Sequence, residues 1–128
     1  MLAPLLAPLL VSAATLVVAT VDPEHPGHYP TCPFLALTGW WCPGCGSLRA
    51  VHALTRGDVV TAVDRNVLTV LAIPALIVAW AAWLRRSITG RTRPPRAIPP
   101  AAIWALLALV VAFGVVRNLP AGSWFAPS

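Results

Sequence analysis

Three long apolar stretches of the chain contain no ionisable side chain. They cover residues 1–21, 66–84 and 97–116, and each is about 19–21 residues long. An α-helix of that length spans roughly 30 Å, which is the thickness of the hydrocarbon core of a bilayer. Because backbone groups in lipid must satisfy their own hydrogen bonds, the pattern predicts three transmembrane helices, at about 2–21, 66–84 and 98–116.

The polar segments between these helices complete the predicted organisation. We expect one membrane domain over residues 1–128, with a Cys-rich segment at 22–65, an Arg-rich loop at 85–96 and a tail at 117–128. The fold class is therefore all-α integral membrane, with a short amphipathic helix inside the Cys-rich segment. Proline in a helix interior removes a backbone hydrogen bond, so Pro74 predicts a kink in the second transmembrane helix.

Composition excludes an ordinary soluble domain. Hydrophobic residues make up 58% of the chain and charged residues 10%, whereas soluble domains carry roughly 25% charged residues. The first apolar stretch lacks a basic leading region and is longer than the core of a signal peptide. These features favour a retained anchor helix over a cleaved signal peptide.

Arginine sets the predicted orientation. The chain has nine basic residues, and five of them fall in the loop between the second and third helices: Arg85, Arg86, Arg91, Arg93 and Arg96. By the positive-inside rule this loop is cytoplasmic and contacts lipid headgroups, so the amino terminus is cytoplasmic and the Cys-rich segment faces outward. A basic excess confined to one juxtamembrane loop gives no folded basic face, and a nucleic-acid partner is not expected.

The short helix of the Cys-rich segment is predicted between a good amino-terminal cap, Ser47, and a good stop, Gly57. Helical spacing places Arg49, His52 and Arg56 on one face. Four apolar residues form the opposite face: Leu48, Ala50, Val51 and Leu54. We expect the charged face to meet solvent or headgroups.

All three cysteines lie in the Cys-rich segment, and metal binding is the first interpretation. A Cys-Pro-x-Cys-Gly turn such as Cys42-Pro43-Gly44-Cys45-Gly46 is typical of zinc knuckles. Zinc prefers four ligands in a tetrahedron, and Cys32, Cys42 and Cys45 supply three. The candidates for the fourth are His52, His25 and His28.

Two further interpretations of the cysteines stay open. A Cys-x-x-Cys pair outside the cytoplasm can exchange disulfides, with Cys32 as the resolving thiol. Because the short helix begins after the second cysteine, activation is then expected at Cys45, helped by Arg49. Alternatively, two of the three cysteines form a structural disulfide that staples a Pro-rich loop.

The motif resembles an uncharacterised family of bacterial membrane proteins, the domain of unknown function 2752. The resemblance runs from Cys32 to about Asn66 and rests on thirteen residues: Cys32, Pro33, Thr38, Gly39, Cys42, Pro43, Gly44, Cys45, Gly46, Arg49, Ala50, Gly57 and Asn66. It implies a membrane protein with a cysteine motif, and it implies no known reaction. Together with the predicted topology, we expect a location in a bacterial inner membrane. Asn66 is interpreted as a hydrogen-bonding residue at a helix end.

No hydrolase or kinase constellation is present, so enzymatic activity is not favoured. We expect a small accessory or scaffold protein of the membrane, paired with a second copy or with another membrane protein. The alternative is a metal-binding or thiol-disulfide redox protein that acts through Cys32, Cys42 and Cys45.

Overall fold

The described part of the chain is entirely helical. The structure, a computed structural model, describes residues 3–90 and 97–126. Its helices in chain order are α1 (Ala3–Thr20), α2 (Pro33–Thr38), α3 (Ser47–Thr55), α4 (Val59–Thr89), α5 (Pro100–Val116) and a 3₁₀ helix (Pro120–Phe125). These residues contain no strand, which confirms the predicted all-α class.

The long helix α4 consists of two helical parts joined at Asn66. The backbone of Asn66 is extended, with φ −164° and ψ 96°, while Pro74 lies within regular helix. The Asn66 side chain accepts a hydrogen bond from the Thr69 amide at 3.1 Å, which is how an amino-terminal cap satisfies a free N–H group. The break in α4 therefore lies at Asn66, where the side-chain cap starts a new helix, and the kink at Pro74 stays a prediction.

The apolar side chains of the three long helices point outward. Leu10 on α1, Val78 on α4 and Leu106 on α5 are all more than 60% exposed. Among the described residues, α4 alone is both long and apolar enough to cross a membrane, while Leu5–Thr20 and α5 are shorter apolar helices. The fold thus presents apolar surface to its surroundings along most of its length.

The interior is small and lies where α3 packs on α4. Ala50 of α3 and Ala62 of α4 are completely buried, and Ala53 lies beside them. Because alanine has a small side chain, the two helix backbones approach closely. The predicted division of α3 into faces is wrong at two positions: His52 is buried on this side, and Leu48 is exposed.

One end of the molecule gathers the chain segments that hold the cysteines. Helix α3 packs against the carboxyl end of α1 and the first part of α4. The carboxyl end of α5 contacts the turn that precedes α3. Arg85 and Arg86 are exposed near the end of α4. The other predicted arginines of that loop, Arg91, Arg93 and Arg96, lie outside the described residues.

Candidate functional site

The three cysteine thiols form a compact cluster. Cys32 directly precedes α2, and Cys42 and Cys45 lie in the turn before α3. The Cys32 thiol donates a hydrogen bond to Cys42 Sγ at 3.5 Å, and the sulfur atoms of Cys42 and Cys45 are 2.9 Å apart. All three sulfur atoms lie within 4.8 Å of one another, and all three are free thiols.

Two motif glycines shape the backbone around the cluster. Gly39 has φ +71° and ends α2, where its N–H donates to the Leu35 carbonyl at 2.9 Å. Gly46 has φ +84° and starts α3 directly after Cys45. Both conformations are left-handed and disfavour side chains with a Cβ atom, so glycine at these positions lets the two cysteine segments fold towards each other.

Motif residue Thr38 closes the turn after α2. Its hydroxyl donates to the Phe34 carbonyl and accepts a hydrogen bond from the Trp40 amide at 3.1 Å. Pro33 occupies the first turn of α2, where its missing N–H group costs least. These local bonds direct the chain from Cys32 back towards Cys42.

Two buried side chains, the guanidinium of Arg117 and the amide of Asn66, donate hydrogen bonds to the turn that contains Cys42 and Cys45. Arg117 and Asn66 are each about 1% exposed and are the largest fully buried side chains. Arg117 Nη1 donates to the carbonyl oxygens of Cys42 at 2.9 Å and Cys45 at 3.2 Å. Asn66 Nδ2 donates to the carbonyl oxygens of Pro43 at 2.9 Å and Cys45 at 3.0 Å. The turn is therefore held by donors from two distant helices.

The carboxyl end of α5 also holds the chain just before the turn. Asn118 accepts a hydrogen bond from the Trp41 amide and donates one to the Trp41 carbonyl, both at 2.8 Å. A Cβ atom at Gly114 would approach Pro43 Cδ to 3.3 Å, so the absence of a side chain there allows α5 to lie against the turn.

The three histidines lie away from the thiol cluster. The His52 ring bonds the Val18 carbonyl through Nδ1 at 2.7 Å, and its Nε2 is 3.9 Å from Asp22 Oδ1. His25 Nδ1 is 3.4 Å from Asp22 Oδ2, and His28 Nδ1 contacts the Asp22 carbonyl at 2.9 Å. All three histidines therefore surround the end of α1, and none joins the thiol cluster, because the inward face of α3 directs His52 towards α1.

A cavity of about 430 Å³ opens beside the thiols. One wall contains the three cysteines and the start of α3, including Arg49, and the other is formed by residues of the segment 23–31. An ion pair between Glu24 and Arg65, at 2.7 Å, ties that second wall to α4. The cluster is thus accessible to a small molecule or ion from this side.

Their different surroundings shift the pKa values of the Cys32 and Cys45 thiols in opposite directions. The backbone amide of Leu35 lowers the pKa of the Cys32 thiol below its ordinary value. Burial, reinforced by hydrogen bonding with the Cys42 thiol, raises the pKa of the Cys45 thiol to about 12. The expectation of an activated Cys45 is therefore wrong, and Cys32 is the thiol that ionises more readily.

Sequence reasoning assigned no contact to Arg117 or Asn118. A signal was present, since Arg117 is the first charged residue after the charge-free stretch 97–116 and is followed by an amide. A charge that flanks a membrane helix is ordinarily interpreted as an interfacial anchor, and nothing in the sequence connects it to a turn more than seventy residues away.

The two displaced pKa values predict an order of thiol reactivity in the reduced, metal-free protein. At about pH 8 iodoacetamide should alkylate Cys32 first and Cys45 last, because the thiolate is the reactive form. Cys32 reactivity should also level off at a lower pH than that of an ordinary thiol. Peptide mass spectrometry after timed quenching measures the order, and protein unfolded in sodium dodecyl sulfate serves as the control with similar rates. Alkylation of Cys45 before Cys32 would contradict the assignment.

Comparison with known proteins gives one match. Residues 32–80 match the sequence model of a family described as a protein of unknown function, DUF2752. No curated protein and no solved structure matches the chain. The matched segment begins at Cys32 and contains all three cysteines, α3 and the first two thirds of α4. The resemblance found in the sequence is confirmed as a match: residues 32–80 match the model of the domain of unknown function 2752.

Proposed function

We propose that the protein is a membrane protein that binds one divalent, thiophilic metal ion, with zinc as the leading candidate, through Cys32, Cys42 and Cys45. The observation that carries the proposal is the approach of all three sulfur atoms to within 4.8 Å of one another. A structural disulfide needs two cysteines and gives no reason for the third thiol to lie with them.

The sulfur separations support a zinc-sized site. Zinc–sulfur bonds of about 2.3 Å in a tetrahedron place sulfur atoms roughly 3.8 Å apart. The separation of 3.5 Å between Cys32 and Cys42 is close to that value, and the Cys42–Cys45 separation of 2.9 Å would need to widen. Metal binding releases the thiol protons to solvent as each sulfur becomes a thiolate.

The fourth coordination position is proposed to be open. Among the described residues, no fourth histidine, cysteine or carboxylate shares the cluster, and the three cysteines line the cavity. Three protein ligands with one free position are typical of zinc sites that bind water or a substrate, whereas closed four-ligand sites are structural. Water or a substrate that enters the cavity would be the fourth ligand.

Thiol-disulfide exchange is the second candidate function. The short Cys42–Cys45 separation favours it, since these sulfurs need little movement to bond. In that reaction the pair would become a disulfide while the disulfide of a partner protein is reduced to two thiols. Metal binding is favoured because it uses all three thiols, which lie within 4.8 Å of one another, whereas a disulfide uses two.

The membrane arrangement proposed for this site has three crossings. α1 and α5 contain 18 and 17 residues, or roughly 25–27 Å of helix, close to the hydrocarbon thickness. Their exposed apolar side chains would contact lipid, and an adjacent second copy or membrane partner stays a prediction. We propose a bacterial inner-membrane location with the cysteine end outside and the arginine loop in the cytoplasm.

Metal content tests the proposed function directly. Protein purified in detergent under reducing conditions should bind one zinc ion per chain, and Cys32→Ser, Cys42→Ser and Cys45→Ser should each weaken binding by more than about 10-fold because each removes a ligand. His25→Gln is the matched control and should leave the affinity unchanged, because His25 lies outside the cluster. A wild-type chain that binds no zinc and instead cycles a Cys42–Cys45 disulfide would establish the second candidate.

Labelling of intact cells tests the orientation. In a chain with its three cysteines changed to serine, a membrane-impermeant maleimide should label Pro26→Cys and Ser123→Cys but not Thr89→Cys. All three positions are exposed in the structure, so a difference reports the side of the membrane. Labelling of Thr89→Cys alone would reverse the proposed topology.

A further inference from the structure

Arg117 is a buried cation without a carboxylate partner. Its side chain is about 1% exposed, and no ion pair joins it to an acid among the described residues. The four acidic residues of the chain lie elsewhere: Asp22 by the histidines, Glu24 on Arg65, Asp58 at the amino terminus of α4, and Asp64 on its exposed surface. Isolated buried charge is strongly unfavourable, so an anion is expected near this guanidinium.

The hydrogen bonds of Arg117 do not require a cation. One nitrogen, Nη1, makes the bonds to the turn carbonyls, and Asn66 bonds the same turn with a neutral amide. The other two guanidinium nitrogens, Nε and Nη2, are buried without a hydrogen-bond partner. The face of the Phe113 ring, 5.1 Å from the guanidinium carbon, offers weak stabilisation of the charge.

The thiol cluster is the nearest source of negative charge. Arg117 Nη1 donates to the carbonyl oxygens of Cys42 and Cys45, two of the residues whose thiols form that cluster. Arginine stays protonated throughout the physiological range. The positive charge is therefore permanent, whereas the negative charge appears when thiols lose their protons.

We infer that Arg117 is the fixed counter-charge of a metal–trithiolate complex formed by Cys32, Cys42 and Cys45. This inference rests on the proposed function and extends it to the charge of the bound species. Three thiols release three protons to solvent, and three thiolates with one divalent cation carry a net charge of −1. The +1 charge of Arg117 brings the buried unit to neutrality, so a divalent ion with an uncharged fourth ligand is the species that the site stabilises.

The test separates charge from hydrogen bonding by substitution at position 117. Arg117→Lys keeps the charge and should retain zinc affinity within a few-fold. Arg117→Gln keeps donors but removes the charge and should weaken zinc binding about 10- to 100-fold, the range usual for groups behind metal ligands. Arg56→Gln, which removes an exposed arginine of α3, is the matched control and should bind as the wild type does.

Cobalt substitution provides a readout that a purely structural role would not change. Co²⁺ bound to thiolates absorbs in the near ultraviolet in proportion to the number of sulfur ligands. Without a positive charge at position 117, a divalent ion forms a neutral complex with two thiolates instead of three. The cobalt absorption band of Arg117→Gln should therefore be weaker than that of the wild type by about one third. Arg117→Lys should restore the full band.

Two variants at Asn118 test the charge of Arg117 without replacing the arginine, and they serve if Arg117→Gln does not fold. Asn118→Asp places a carboxylate beside Arg117 while keeping an oxygen for the Trp41 amide, and Asn118→Ala removes that oxygen. Charge compensation predicts weaker zinc binding for Asn118→Asp than for Asn118→Ala, whereas a role limited to holding the turn predicts the opposite order.

A wild-type chain that binds no metal would refute the proposed function. Wild-type binding with equal affinity and band intensity in Arg117→Gln would refute the counter-charge alone.

Discussion

The hydrogen bonds from Arg117 and Asn66 to the carbonyl oxygens of Cys42, Pro43 and Cys45 hold the cysteine end of the molecule together. Both donors are buried and come from helices that are distant in sequence, so the turn cannot change shape without leaving a buried polar group unsatisfied. That constraint fixes the positions of Cys42 and Cys45. It also joins the end of α5 to the break at Asn66 in the first part of α4.

The distribution of polarity follows from this arrangement. Water-soluble folds bury apolar side chains and expose polar ones, whereas here the largest fully buried side chains are an arginine and an asparagine. The leucines and valines of α1, α4 and α5 point outward. In the proposed membrane arrangement such surfaces contact lipid, and hydrogen bonds and close packing of small residues hold the helices together instead. Ala50 against Ala62 and the hydrogen bonds of Arg117 to the turn are two examples of such contacts.

Much of the helical architecture could be predicted because it depends on local pattern. Charge-free stretches of membrane length indicate helices, and Asp58 with Thr61 makes the cap that begins α4. The clustering of the cysteines could also be expected from their spacing. The family match over residues 32–80 includes the segment in which the resemblance was recognised.

The remaining features depend on contacts between distant segments. The face of α3 that turns inward is set by the close fit of Ala50 against Ala62, so His52 is buried and Leu48 is exposed. The acidities of Cys32 and Cys45 depend on the Leu35 amide and on burial, neither of which spacing reveals. The role of Arg117 depends on the direction in which α5 ends, which no local pattern encodes.

In the proposed function three thiols, two of them in the turn held by Arg117 and Asn66, form one metal site. X-ray absorption at the zinc edge of the zinc-loaded protein tests it most directly, since it counts the atoms bonded to the metal. We expect three sulfur neighbours at about 2.3 Å and one lighter atom from the cavity side. A first shell made only of nitrogen and oxygen, or one with a single sulfur, would contradict it.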